Sequence, residues 1–319
     1  MTSGDTREPL PSEQGDDGSF RRRVARFRDF VTADGSSGYE AEAGRYHLYV
    51  SAACPWAHRT IIYRHLKGLA GAISMTVVDP ERDERGWAIT DRRGTTPDTV
   101  NGFTFLSEAY ILSDDGFDGH VTVPVLWDRE RGRIVNNESS EIIRMLDREF
   151  DAVAKRPDVH YLPEELRAEI DGLNAFVYEN VNDGVYRTGF ARTQAAYERA
   201  FVRLFEALDE LDVRLATRRY LMGATLTEAD WRLFPTLLRF DPVYVGHFKC
   251  NLRRVIDYPN LSGYLRELYQ YPGIAATVDM DHIKRHYYRT HPSLNPTRIV
   301  PVGPALDLAA PHGRDHLST

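Results

Sequence analysis

The chain has 319 residues, 42% hydrophobic and 27% charged, values of a globular protein large enough for one big domain or two ordinary ones. A net charge of −7 leaves no basic excess to neutralise phosphates and argues against nucleic-acid binding. No run approaches the roughly 18 apolar residues of a membrane span, and Met1 to Gln14 has no apolar stretch resembling a secretory signal.

Residues 1–40, rich in Ser, Gly, Asp, Glu and Arg, read as an N-terminal extension, mobile or laid over the surface, with Arg21-Arg22-Arg23 as a solvated face. Arg45 to Val50 reads as a strand. After Ser51-Ala52-Ala53 and Cys54-Pro55-Trp56, a helical pattern carries Thr60, Ile61, Tyr63, Leu66 and Leu69, with Gly68 and Gly71 as its stop. Ile73 to Val78 reads as a second strand. Residues 79–120 are irregular, with one short apolar stretch, Phe103 to Leu112. Val121 to Trp127 reads as a strand, Arg133 to Val135 as its short return, and Glu138-Ser139-Ser140-Glu141 opens a helix carrying Ile142, Ile143, Leu146 and Phe150 on one side. That order predicts an α/β, thioredoxin-like domain over 41–150. A linker with Pro157 and Pro163 follows. Glu164 to Val181, Thr193 to Ala216, Thr227 to Leu238 and Pro259 to Tyr271 have helical periodicity, which predicts an all-helical domain over 163–285. The Pro-rich remainder, 286–319, reads as a tail packing near the site.

Only two cysteines occur, Cys54 and Cys250. That is too few for a disulfide framework, and a reducing cytoplasm is expected. Cys54 stands at a strand-to-helix junction with Pro55 near the first helical position, where its missing N–H costs nothing. A thiolate there faces unsatisfied backbone N–H groups and the positive end of the helix dipole, a setting that lowers a cysteine pKa from about 8.5 to within roughly 3.5–7.5. The main gain is a good leaving group: thiolate fraction rises, but nucleophilicity falls with pKa. A buried, inert thiol is the common fate of a free Cys, and this position is poorly suited to a core. A metal site from Cys54 and His58 lacks two further ligands. Dithiol redox motifs carry a second Cys where Ala57 stands, so an external thiol must resolve any mixed disulfide. Cys250 reads as structural.

Val123-Pro124 puts a proline inside a strand pattern, where it is either an edge-strand residue or a cis bond that frees the Val123 backbone for a peptide-like ligand. Glu138-Ser139 at a helix start is either an ordinary cap or an anion site.

Together these residues resemble the Xi class of glutathione transferases, the glutathionyl-hydroquinone reductases. The matching segments are Arg45-Tyr-His-Leu-Tyr-Val50, Cys54-Pro-Trp-Ala-His-Arg59, Thr122-Val-Pro-Val-Leu-Trp-Asp128 and Ile134-Val-Asn-Asn-Glu-Ser-Ser-Glu-Ile-Ile143. Further along they are Asn182-Asp-Gly-Val-Tyr-Arg187, Arg239-Phe-Asp-Pro-Val-Tyr244, His247-Phe-Lys-Cys-Asn251, His286-Tyr-Tyr288 and Asn295-Pro-Thr297. The resemblance runs from about residue 20 to 304 and is specific as a conjunction. It implies a thioredoxin-like domain, then an all-helical glutathione-transferase domain, assembled as a homodimer. It implies that Cys54 removes glutathione from glutathionyl-hydroquinones and that a second glutathione resolves the mixed disulfide. Trp87, Val123, Pro124, Glu138 and Ser139 would hold glutathione, and Tyr186, Tyr287 and Tyr288 would meet the quinol; ordinary packing is the alternative for the tyrosines.

One departure is His120, where the family usually has Arg or Lys. Four of the 40 basic residues are Lys, an Arg bias that suggests a GC-rich genome and allows another low-molecular-weight thiol as cosubstrate. An omega-like thiol transferase or dehydroascorbate reductase shares the cysteine chemistry. A binding protein of the same fold would lack the nucleophile or its setting. No metal is expected.

Overall fold

The computed structural model describes Pro9 and residues 11–317; residues 1–8 and 10 of the expected extension and the last two of the tail lie outside the described residues. In chain order the main elements are β1 (Tyr46–Val50), α1 (Pro55–Leu66), β2 (Ser74–Val77), α2 (Ser107–Ser113), β3 (Val125–Asp128), β4 (Arg133–Asn136), α3 (Ser139–Arg144), α4 (Arg167–Val177), α5 (Gly184–Gly189), α6 (Gln194–Leu215), α7 (Glu228–Arg239), α8 (Leu261–Gln270) and α9 (Met280–Thr290). They fall into two compact units. The first holds Val24–His160 and Thr277–Arg298; the second holds Pro11–Arg23, Tyr161–Ala276 and 299–317.

The first unit is built on a four-stranded sheet in the order β2-β1-β3-β4. β1 pairs with β2 in parallel and with β3 antiparallel. A parallel pair needs a crossover, and α1 supplies it. Every residue of β1 is buried, so apolar side chains fill both faces except at His47, whose ring nitrogens meet Ser74 Oγ at 2.7 Å and Thr76 Oγ1 at 3.0 Å. Helix α1 stops at Leu66 because Gly68 takes a left-handed φ of +67°, which glycine adopts without a Cβ penalty. The third strand is shorter than the expected Val121 to Trp127: it begins at Val125, directly after Pro124, which has no N–H for a ladder.

Two helices depart from the expected pattern. α2 lies inside the segment expected to be irregular; Glu108 Oε1 accepts from Thr104 N and Phe105 N at 2.8 Å each and caps its start. Seven residues are too few for a readable period. α9 crosses the expected boundary at 285/286 and belongs to the first unit, through 2.9 Å from Arg285 Nε to Glu81 and 3.0 Å from His282 Nε2 to Arg93 O. The tail therefore divides. Residues 286–298 complete the first unit, and 299–317 run over the second, where Arg314 donates to Arg218 O and Arg219 O at 2.7 and 2.8 Å.

The second unit is helical. α6 starts at Thr193, whose Oγ1 accepts from Ala196 N, and α7 starts in a capping box between Thr227 and Asp230. Trp231, Phe234, Leu237 and Leu238 of α7 are fully buried and form the centre of this core. The extension is anchored by apolar side chains too widely spaced to show a period: Phe20, Phe27, Val31 and Tyr39 are all buried. Arg22 is not part of a solvated face, because its Nε donates to Asp183 at 2.6 Å.

Each unit holds a buried imidazole. Burial pushes His47 and His247 down to about 4 from an ordinary 6.5. The unfolded chain therefore binds these protons first. Stability is complete above pH 6.5 and falls as the pH drops towards 4, by an upper bound of about 3 kcal/mol per imidazole. Thermal melts from pH 7.5 to 4 should show Tm falling across that window; a flat Tm would mean that the folded chain protonates them freely.

Candidate functional site

The site in the first unit begins where β1 runs into α1. The turn Ser51–Ala53 ends at Cys54, which has an extended backbone (φ −78°, ψ 125°) and precedes Pro55 as the N-cap of α1. The Cys54 carbonyl accepts the N–H of His58 at 2.9 Å. The half-buried Sγ makes no cap bond of its own. It lies 3.5 Å from the Val123 carbonyl oxygen, to which the thiol donates. Thus the thiol sits at the open end of a helix, with polar backbone beside it.

The Val123-Pro124 peptide is cis. Among the described residues no acceptor pairs with the Val123 N–H. A side-chain network holds this segment: Tyr110 Oη donates to Thr122 O at 2.8 Å, and Asn137 Nδ2 donates to Tyr110 Oη at 3.1 Å and to Thr122 Oγ1 at 3.2 Å. Asn137 Oδ1 in turn accepts from Phe27 N at 3.0 Å. These positioning residues are not recognisable from the sequence, apart from the Asn136-Asn137 pair directly before Glu138.

Glu138 itself, rather than Ser139, is the N-cap of α3; its carboxylate accepts from Ser140 N at 2.9 Å and Ser140 Oγ at 2.8 Å. Asn136 Oδ1 accepts from Glu138 N at 2.7 Å and orients the turn. Ser139 is buried, and Arg59 of α1 donates to its Oγ at 3.3 Å while its guanidinium lies 4.6 Å over the Trp56 ring. Arg59 is the site residue that sequence reasoning passed over, although it ends the Cys54–Arg59 motif. It brings a buried positive charge to a helix start that already favours anions.

Trp87 is buried and stacks on His286 of α9, centroids 5.0 Å apart at 19°. Its indole N–H has no partner among the described residues, an unmet donor that a ligand acceptor would satisfy. His286 Nδ1 lies 2.7 Å from Pro80 O; a carbonyl only accepts, so Nδ1 carries the proton. The next two residues are Tyr287 and Tyr288, both buried. Asn295 Nδ2 donates to Tyr288 O at 2.7 Å. His120 is partly exposed. The structure thus gathers Cys54, Trp87, Val123, Pro124, Glu138, Ser139, Tyr287 and Tyr288 into one unit, whereas Tyr186 belongs to the other.

Cys250 is also in the second unit. It is fully buried, and burial pushes its thiol well above the ordinary value. Its Sγ lies 3.8 Å from Phe248 O and 4.0 Å from Val185 O, acceptors that a serine hydroxyl could also use. Cys250→Ser should keep most activity and lower stability by about 1–2 kcal/mol, as read by steady-state rates and thermal melting. Loss of turnover with the fold intact would overturn the single-cysteine account.

A thioredoxin-like unit with a cysteine at its first helix, followed by an all-helical unit, defines a glutathione transferase. The family models for the N-terminal and C-terminal domains of glutathione S-transferase match residues 53–149 and 194–267. The glutathionyl-hydroquinone reductase YqjG of Escherichia coli (strain K12) is 52% identical over 305 residues, 93% of each chain; its glutathione-bound structure superposes with a TM-score of 0.89 over 91% of this chain and 96% of that one. The glutathionyl-hydroquinone reductase PcpF of Sphingobium chlorophenolicum is 52% identical over 91% of each chain. A Xi-class transferase from Natrialba magadii has a TM-score of 0.90 at 51% identity, covering 95% of this chain and 96% of that one. The chain belongs to the glutathionyl-hydroquinone reductase family, the Xi class of glutathione transferases, and is an enzyme. Among the described residues no helix is long and apolar enough to cross a membrane.

Proposed function

We propose that this enzyme removes glutathione from glutathionyl-hydroquinones, with Cys54 as the nucleophile. The observation that carries this reading is the half-buried Cys54 thiol at the start of α1, beside the carbonyl of Val123, whose N–H has no partner among the described residues. Relatives named for this reaction support it, as does the glutathione bound to one of them. In the first step the Cys54 thiolate attacks the adduct sulfur. An S–S bond forms as the C–S bond breaks, and the ring carbon takes up a proton in its place. A second glutathione thiolate then attacks the glutathionyl sulfur and expels Cys54 as thiolate. The adduct and one thiol become the free hydroquinone and one disulfide.

In this reading Trp87, Val123, Pro124, Glu138 and Ser139 hold glutathione. The Val123 N–H and the Trp87 indole N–H supply donors, and Glu138 supplies a carboxylate for the glutathione amino group. Tyr186 and one of Tyr287 and Tyr288 donate to the hydroquinone oxygens. The working form is a homodimer in a reducing cytoplasm, each chain with a glutathione-binding domain over 41–150, to which α9 belongs, and a helical domain from 163 to 276.

Two measurements test this reading. Intact mass after incubation with oxidised glutathione, or with another low-molecular-weight disulfide, should show a single adduct on Cys54 and reveal which thiol is accepted. A purified glutathionyl-hydroquinone with added glutathione should yield hydroquinone and glutathione disulfide in equal amounts; no hydroquinone would refute the proposal.

A further inference from the structure

The N-terminal extension places a guanidinium on the face of Tyr186. Residues 13–21 form a small hairpin, with Gly15 N bonded to Ser19 O at 2.8 Å and Arg21 N to Glu13 O at 2.8 Å. The hairpin is docked on the turn before α6: Arg192 N donates to Gly18 O at 2.9 Å, and Thr193 Oγ1 donates to Asp17 O at 2.8 Å. Gly18 has a φ of +80°, and a Cβ there would meet Thr193 Cγ2 at 2.7 Å, so this approach requires glycine.

The docked hairpin delivers Arg22 to a set position. Its Nε donates to Asp183 Oδ1 at 2.6 Å, and its Cζ lies 4.5 Å from the centroid of the Tyr186 ring. Asp183 is buried, and its other oxygen accepts from Arg187 Nε at 3.0 Å. The aromatic neighbours of Tyr186 include Phe190, Tyr244 and Phe248, with centroids at 6.3, 6.2 and 5.4 Å. The charged and titratable groups of this environment include Arg22, Asp183, Arg187 and Tyr244, with Tyr178 also acting on Arg22. A cation over an aromatic face is held by the ring quadrupole, and a nearby positive charge favours any negative charge that develops on the phenol oxygen.

We propose that Arg22 is a positioning residue for Tyr186: it fixes the ring and, by its charge, makes the phenol a stronger proton donor to the hydroquinone oxygen. This rests on the function proposed above, and it makes the extension a working part of the enzyme rather than a cover. Tyr186 keeps the contact with substrate, and Arg22 acts through it.

The test uses the full-length enzyme with Arg22→Gln and Arg22→Lys. The titration midpoint of Tyr186, followed by NMR of ring-labelled tyrosine and assigned with Tyr186→Phe, should rise by about one pH unit in Arg22→Gln and return most of the way in Arg22→Lys. Turnover of a glutathionyl-hydroquinone should fall about tenfold in kcat for Arg22→Gln, with KM less affected. Cleavage of a simple glutathione mixed disulfide should be unchanged and reports that the fold is intact. An unmoved midpoint, or equal loss on both substrates, would overturn the proposal. If the wild type fails to turn over the hydroquinone adduct, the proposed function falls, while the midpoint still decides whether Arg22 acts on Tyr186.

Discussion

Cys54→Ala should lower turnover of every glutathionylated substrate by roughly 10³ or more, because it removes the only group proposed to form a covalent bond. Neither Ala57 nor the buried Cys250 can take its place. Cys54→Ser should be nearly as inactive, since a hydroxyl at the same helix start remains protonated at neutral pH and is a poor leaving group from sulfur. Thermal melting should change little in either variant, because Sγ is half-buried and its contact with Val123 O, at 3.5 Å, is weak. The check is to measure rates with an adduct and with a mixed disulfide beside intact mass under oxidised glutathione. A Cys54→Ala enzyme that still turned over either substrate would remove Cys54 from the mechanism.

Tyr186→Phe should separate the two substrates that Cys54→Ala treats alike. Breaking a C–S bond on an aromatic ring is difficult because the ring carbon must take the bonding pair as sulfur leaves, and it does so readily only where it has accepted a proton. Donors at the hydroquinone oxygens favour the keto tautomer, in which that carbon is tetrahedral and the bond to sulfur is weaker. Positioned acid–base groups contribute typically about 10²–10⁴-fold, so kcat for a glutathionyl-hydroquinone should fall by about that much. A mixed disulfide needs no ring chemistry and should be cleaved at a nearly unchanged rate. The packing effect is small, because the ring keeps its neighbours Phe190, Tyr244 and Phe248. Equal loss on both substrates would make Tyr186 structural.

What could be read in the sequence was local. Cys54-Pro55 at the start of α1, Gly68 at its end and Thr193 and Thr227 at the starts of α6 and α7 are each recognised within a turn of helix, where side chain and backbone meet directly. The long periodic helices α6, α7 and α8 were readable for the same reason. The glutathione-cradle candidates Val123-Pro124 and Glu138-Ser139 stand out because proline and capping residues have few uses at such positions. The element order therefore led to the fold class, and the conjunction of short segments led to the family.

Contacts between distant residues could not be read this way. α2 owes its start to a cap rather than to a period, and α9 joins the first unit through Glu81 and Arg93, about 200 positions away. Trp87 acquires its stacking partner only when His286 arrives, fixed by Pro80 O at a separation of 206. Arg59 looks like an ordinary helix arginine until Ser139 closes over it. Arg22, which composition assigns to a solvated face, finds Asp183 at a separation of 161 and Tyr186 beside it. The sequence by itself determined the starts of α1, α6 and α7 and the nucleophile candidate, which depend on neighbours within a few residues, and the class, through a conjunction of such short segments. Only the tertiary structure decided which buried charges and rings face one another, because a side chain's long-range partner is chosen by the packing of the whole chain and leaves no periodic mark.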